Sequence, residues 1–199
     1  IGAAYFPEFI TRTLHDHETF VDIGAHKGGV MIKFHNIVAA KFYKNIGIEP
    51  DPMNILEALR AIGAVDPRMR LIAGGIGRNS ALTKYVIGNG YRSAAGAGGN
   101  ILIPEFTLDS LDLEPTFIKL HIEGREAAAL ESGKNTLTRC RPIIAATVYH
   151  ERDNLLETSN FLFEHLQNYG YFFRCHSYVG TGAIIYAVPY ERHLGNHRE

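Results

Sequence analysis

Cysteine is scarce in this 199-residue sequence: Cys140 and Cys175 are the two, far apart and in no zinc-binding spacing. Two lone thiols suit a reducing compartment. Neither sign of charge is in excess. A formal net charge of -1 removes the basic field on which nucleic-acid binding relies. No apolar run reaches the roughly 18 residues that a membrane span requires, and no stretch reads as a signal peptide. These absences lead to the expectation of a cytoplasmic protein with no nucleic-acid or membrane partner. The sequence starts at Ile1 rather than Met, so a targeting segment ahead of it stays open, as does self-association, for instance as a homodimer. There is no internal repeat. At this length one domain, 1–199, is the default, and its core needs neither disulfide nor metal to hold it.

What is present is an alternation of short apolar runs with amphipathic segments. A short helical stretch is expected over 4–14, within an N-terminal segment 1–19, ending at His15-Asp16-His17. "FVDIG" (20–24), "IGIEP" (46–50), "MRLIAGGI" (69–76), "TFIKLHIEG" (116–124) and "RPIIAATVYH" (141–150) read as buried strands. Between them, "GGVMIKFHNIVAAKF", "MNILEALRAIG", "REAAALESGKNTL" and "NLLETSNFLFEHLQNYG" read as helices. Asp51 caps the second of these with Pro52 in its first turn, and Gly63 and Gly170 close the second and the last. "YFFRCHS" and "AIIYAVP" read as an antiparallel pair. "ALTKYVI" and "NILIPEF" read as strands around a Gly/Ala-rich loop in 77–106. The alternation predicts an α/β fold with a largely parallel, doubly wound sheet. Ligands in such sheets bind beyond the carboxyl ends of the strands, at the switch point.

That rule brings the glycine turn after the first strand into play. A dinucleotide loop reads G-x-G-x-x-G, whereas here Asp22-x-Gly24-x-x-x-Gly28-Gly29 has His26 where the second glycine belongs. Close approach of a pyrophosphate is disfavoured. Glu49, after the second strand, is placed to accept hydrogen bonds from both hydroxyls of a ribose. A ribose without a diphosphate fits S-adenosylmethionine. The expectation is that its aminoacyl end lies along Gly24, Ala25 and Gly28, its ribose on Glu49, and its adenine near Gly75 and Ile76. A nicotinamide-dependent oxidoreductase with a degenerate loop is the alternative that the missing glycine speaks against.

The stretches "FVDIGAHKGG", "IEPDPMN", "TLDSL" with "FIKLHIEGREAAALESG", and "VYHERDNLLETSNFL" through "AIIYAVP" together resemble the FkbM-type S-adenosylmethionine-dependent methyltransferases. The resemblance implies a class I methyltransferase (Rossmann-like) fold: a doubly wound, mostly parallel seven-stranded sheet with an antiparallel C-terminal strand. It also implies methyl transfer to a hydroxyl oxygen of a small-molecule or sugar-like acceptor, with the loosely matching segment 77–106 expected as an acceptor-side insertion that shapes the acceptor pocket. One departure stands out, since His121 occupies the place of the family's usual Asp in "KLHIEG". A protonated imidazole there would repel the ammonium of the methionine moiety, which makes Asp22 a candidate partner for that amine, and His121 is also counted among the cofactor-binding residues. A binding module that has lost catalysis is the reading from another class.

Methyl transfer to oxygen asks for alignment, exclusion of water and removal of a proton. Histidine suits the last task because its unperturbed pKa is near neutral. His121 and His150 fall at strand ends facing the expected crevice and are the candidates for the base. Glu123 and Tyr149 are the candidates for binding the acceptor. Glu126 is expected in the first turn of a helix, where the dipole favours a carboxylate, and Lys119 inside a buried strand, as a paired structural lysine or a catalytic one. No metal site is expected. "HDHE" (15–18) lacks a third ligand fixed by spacing, and Asp109, Asp112, Glu123 and Asp153 offer a magnesium ion oxygens without any pattern that demands it. Phe161, Phe163, Tyr169, Tyr171, Phe172 and Phe173 read as core, and Arg174 and His176 as surface.

Overall fold

Thr19–Ile23 (β1) is aromatic or β-branched at every position but Asp22, and all five of its residues are buried. A strand buried on both faces belongs at the centre of a parallel sheet. In the computed structural model of this protein, which describes residues 4–87, 94–95, 98–177 and 182–193, β1 pairs in parallel with β2 (Lys44–Glu49) on one side and β8 (Phe117–Leu120) on the other. β3 (Met69–Ala73) extends the sheet beyond β2, and β9 (Ile143–Thr147) extends it beyond β8. β11 (Ala183–Pro189) runs antiparallel between β9 and β10 (Tyr169–Cys175). The order is β10-β11-β9-β8-β1-β2-β3. The chain winds outward from β1 to β3 and then returns to β8, so the switch point lies between β1 and β8.

Side chains alternate between two cores. Val21, Ile23, Ile118, Leu120, Ile144 and Ala146 face one core, with Leu130, Leu137, Phe161 and Leu162. Those last four come from α4 (Glu126–Glu131), α5 (Lys134–Cys140) and α6 (Asn154–His165). Phe20, Phe117, Ile143 and Ala145 face the other core, against Phe6, Ile10, Met31, Phe34 and Ile62. These come from the N-terminal segment with α1 (Glu8–Thr11), from α2 (Gly29–Ile37) and from α3 (Pro52–Gly63). The Asp51 carboxylate accepts from Met53 N, with Pro52 in the first turn of α3, as its sequence predicts.

A second sheet of four strands, in the order β4-β7-β5-β6, leaves the first at Gly74. Its strands are β4 (Gly75–Ile76), β5 (Ala81–Val86), β6 (Ala94–Ala95) and β7 (Ile101–Phe106). The single strand expected over 69–76 is therefore broken: its first part pairs with β2 and its last two residues pair with β7.

Other boundaries also differ from expectation, each for a reason of tertiary structure. "REAAALESGKNTL" forms two helices, because Asp109 in the 3₁₀ turn Asp109–Leu111 accepts from Asn135 N and Thr136 N and so starts α5 afresh. Asp109 is thus a cap rather than a cation ligand. α6 stops at His165, and Gly170 lies inside β10, opposite Val188 of β11. The N-terminal helix shrinks to four residues, and α7 (Tyr190–His193) follows β11. Phe163 and Phe173 are exposed rather than core. Part of the Gly/Ala-rich loop and part of the "YVGTG" turn lie outside the described residues. Among the described residues, no helix is long and apolar enough to cross a membrane.

Candidate active site

At the carboxyl end of β1 the backbone turns through Gly24 (φ +79°). A Cβ there would collide with the carbonyl oxygen of His121, just past β8, so only glycine lets the two strand ends approach. Gly24 N and Ala25 N both donate to Ile48 O (2.9 and 3.0 Å), and His26 N donates to Glu49 Oε2 (2.7 Å). Glu49 is buried, and its Oε1 also accepts from Asp51 N (3.0 Å) and Asn54 Nδ2 (3.1 Å). A carboxylate offers about four lone-pair sites. Three are taken here, leaving one on Oε2. Glu49 thus ties the glycine loop to the start of α3 as well as facing the cavity.

Gly28 (φ +77°) caps α2 in a left-handed conformation, and a Cβ there would press on Ile62 of α3 at 2.8 Å. It sets the helix packing and does not line the cavity. Asp22 is not at the cavity wall either. It is fully buried on the same side of the sheet as Phe20, opposite Lys119 in the β1–β8 register, with Oδ1 2.7 Å from Lys119 Nζ. Burial pushes its carboxyl up from the ordinary range, against the opposing pull of Lys119. A buried ion pair already claims it, so the role of amine partner does not follow. Lys119, paired with Asp22, also donates to Gly24 O (2.7 Å), underpins the turn and reaches the cavity wall.

Above this turn lies a cavity of about 340 Å³, within the size range of small-molecule sites. Gly24, Ala25, His26 and Glu49 line it, as do Gly74, Gly75 and Ile76; Ile23, Val30 and Ile48 supply apolar wall. Sequence reasoning missed several of its residues. Tyr5 reaches over from the N-terminal segment, with its hydroxyl 2.6 Å from His121 Nδ1 and its ring above Lys119 Nζ. Tyr85 and Arg125 close the side toward the second sheet. Arg125 bonds Glu105, and Tyr85 donates to the same carboxylate (3.0 Å), as does Thr83 (2.9 Å). Burial pulls the Glu105 carboxyl up, but Arg125 and these hydroxyls outweigh it and hold it below its usual value. No short-range pattern marks this group, because its parts come from β5, from β7 and from the residue just before α4.

The cavity's rim carries the remaining candidates. His121 Nε2 lies 3.1 Å from His150 Nε2, 3.3 Å from Tyr149 Oη and 3.6 Å from Glu123 Oε1. His150 Nε2 is 3.4 Å from the same Glu123 oxygen. His121 and Glu123 line the cavity, while His150 and Tyr149 stand behind them. Burial, aided by the charges of Lys119, His150 and His26, pushes the His121 pKa down to about 3. A neutral imidazole does not repel an ammonium. By the same measure His121 is a poor general base, since such bases work best with a pKa near the operating pH. Glu126 goes further than the helix dipole requires: fully buried, it accepts from Ile122 N, Thr147 Oγ1 and Asn154 Nδ2 and so braces the strand end that carries His121 and Glu123.

The sheet order, the one antiparallel strand and a ligand-sized cavity at the switch point define a class I methyltransferase fold. Residues 22–173 match the methyltransferase FkbM domain, and the chain belongs to that family. It is similar to the crystal structure of methyltransferase FkbM from Methylobacillus flagellatus KT, at 26% identity and a TM-score of 0.76, covering 94% of this chain and 47% of that one. The chain thus spans about half the length of that relative. Its fold is also that of precorrin-6y C5,15-methyltransferase from Geobacter metallireducens GS-15 (17% identity, TM-score 0.58, 91% and 85% of the two chains). Fibrillarin from Aeropyrum pernix, solved with natively bound S-adenosyl-L-methionine, shares it too (14% identity, TM-score 0.54, 88% and 69%). None of the curated proteins compared with the chain matches it.

Proposed function

We propose that the chain is an S-adenosylmethionine-dependent O-methyltransferase acting on a hydroxyl of a small-molecule or sugar-like acceptor. The observation that carries this reading is a single cavity joining the Gly24 turn and Glu49 to the His121–Glu123 rim. When bound, S-adenosylmethionine supplies an activated sulfonium methyl group, which passes to an acceptor oxygen while the S–C electron pair stays on sulfur.

The residues present fit such a group. Gly24 and Ala25 offer backbone for close approach, and Glu49 has one lone-pair direction left for a ribose hydroxyl. Gly75, Ile76, Ile23 and Ile48 form a dry wall suited to a base. His121, held neutral and oriented by Tyr5, adds no charge against an amine. Ile122 and the Arg125–Tyr85 side of the cavity narrow the approach of the acceptor. Orientation of reactants is the larger contribution, up to about 7–11 kcal/mol in favourable cases. Glu123, which lines the cavity, can receive the hydroxyl proton, and His150 behind it, 3.4 Å from the same carboxylate oxygen, can take that proton on. Tyr149, hydrogen-bonded to His121, positions that pair.

The nicotinamide reading gains nothing from this geometry, since His26 stands where a pyrophosphate loop needs glycine and Glu49 is largely occupied by the loop itself.

Replacing Glu49 with Gln tests the cofactor half of the proposal. The amide loses acceptor capacity toward both the loop and the ribose, and each hydrogen bond to a charged group contributes about 1.5–3 kcal/mol. Affinity for S-adenosylhomocysteine, measured by calorimetry, is expected to fall at least roughly tenfold. Unchanged affinity would remove Glu49 from the site. The chemical half is tested by the release of S-adenosylhomocysteine in the presence of hydroxyl acceptors. A chain that binds cofactor and turns over no acceptor would be a binding module instead.

A further inference from the structure

Among the described residues, one group of three side chains has its metal-ligating atoms in mutual reach: His121, Glu123 and His150. Their separations form a nearly equilateral triangle, 3.1 Å between the two Nε2 atoms and 3.6 and 3.4 Å from these to Glu123 Oε1. Donors about 2.1 Å from a tetrahedral ion stand roughly 3.4 Å apart. The triangle therefore already has the size of three vertices of such a shell.

Two further observations agree. Two imidazole nitrogens facing each other at this distance must share one proton, and a divalent ion in its place satisfies both rings and the carboxylate at once. The outer nitrogens are also suitably placed. His121 Nδ1 lies 2.6 Å from the Tyr5 hydroxyl, which can accept as well as donate. His150 Nδ1 is buried with no hydrogen-bond partner among the described residues, and Glu126 Oε1 lies 3.9 Å away. Ligating histidines orient through second contacts to hydroxyl, carbonyl or carboxylate groups; the Tyr5 hydroxyl is one, and Glu126 lies near His150 without a hydrogen bond to it.

We infer that His121, Glu123 and His150 bind one divalent transition-metal ion of the zinc class at the wall of the cavity, with a fourth position left to a water or an acceptor oxygen. Two imidazoles and one carboxylate suit zinc, cobalt or manganese better than magnesium, which keeps an oxygen shell. An ion there lowers the pKa of a bound hydroxyl; with the ion in place His150 serves as a ligand and the proton leaves to water, whereas in the metal-free rim the His150 imidazole takes it. Binding of the ion depends on these three side chains alone and stands or falls apart from the cofactor reading.

The test is zinc binding by chelator-stripped protein without S-adenosylmethionine, read by competition with a chromophoric chelator. One equivalent is expected in the wild type. His150→Ala and Glu123→Gln should each weaken it by more than the roughly 10–100-fold that loss of an outer contact costs. The pair His15→Ala and His17→Ala, in the separate "HDHE" turn, should leave it intact. Cobalt added to the wild type, which needs no variant to fold, should give the intense visible spectrum of a tetrahedral site. No stoichiometric zinc, binding that survives both rim substitutions, binding that moves with His15 and His17, or a weak octahedral cobalt spectrum would each overturn the inference.

Discussion

Replacing Lys119 with Met is expected to cost the fold about 3–5 kcal/mol at neutral pH, the usual consequence of leaving one half of a buried ion pair without the other. Asp22 and Lys119 face each other in the central β1–β8 register, both almost wholly buried, at 2.7 Å. Burial already raises the Asp22 carboxyl against the pull of Lys119, and without the ammonium it rises further. The sign of the pH dependence follows. With the folded pKa above the unfolded value near 3.9, the folded state holds the proton longer. Stability then falls as pH rises between those two values, by about 1.4 kcal/mol per unit, and levels off above the folded pKa. The variant should therefore be most nearly normal in mild acid. Chemical denaturation across pH reads this directly, and the double variant Asp22→Asn with Lys119→Met should recover most of the loss. A pH-independent loss of under about 1 kcal/mol, the range of surface pairs, would show that the pair contributes no more than an exposed one.

The second large effect is on turnover. His150→Ala is expected to lower kcat by on the order of 100-fold or more, the range over which a proton-accepting group acts. Affinity for S-adenosylhomocysteine should stay near the wild-type value. The split follows from position: His150 lies behind the cavity wall and touches neither the Gly24 turn nor Glu49, yet its Nε2 is within 3.4 Å of both rim groups, His121 and Glu123. Added imidazole should restore part of the rate. An unchanged kcat would remove the rim cluster from the chemistry, and a matched fall in cofactor affinity would place His150 in binding instead.

How much of this was legible in the sequence depended on whether local pattern or tertiary contact decided the outcome. The β1 run, its glycine turn and the Asp51-Pro52 start of α3 are local, and the structure has them where the residues imply. The seven-stranded sheet followed from the alternation together with the family resemblance. The break at Gly74 was not legible, because nothing in "MRLIAGGI" says that its last residues pair with a strand 30 residues later. Nor was the division of "REAAALESGKNTL", where the cap comes from Asp109 across the fold. At the site, Glu49 and the loop could be named from spacing. Tyr5 and the Arg125–Glu105–Tyr85 group could not, since each is brought in by packing of a distant element. Asp22 and Gly28 carry the motif but lie beneath the cavity, where they hold the turn that lines it. The mutual approach of His121, Glu123 and His150 joins two adjacent parallel strand ends, which the strand order shows and residue spacing does not.

The central claim is that the cavity over the Gly24 turn holds S-adenosylmethionine. The most direct measurement is the thermal stability of the wild type with saturating S-adenosylhomocysteine and, in parallel, with NAD. At a ligand concentration 100 times its Kd, binding to the folded state adds about 2.7 kcal/mol, which for a chain of this size raises Tm by roughly 5–10 °C. That rise is predicted for S-adenosylhomocysteine and not for NAD. No rise with S-adenosylhomocysteine, or a rise with NAD alone, would contradict the account.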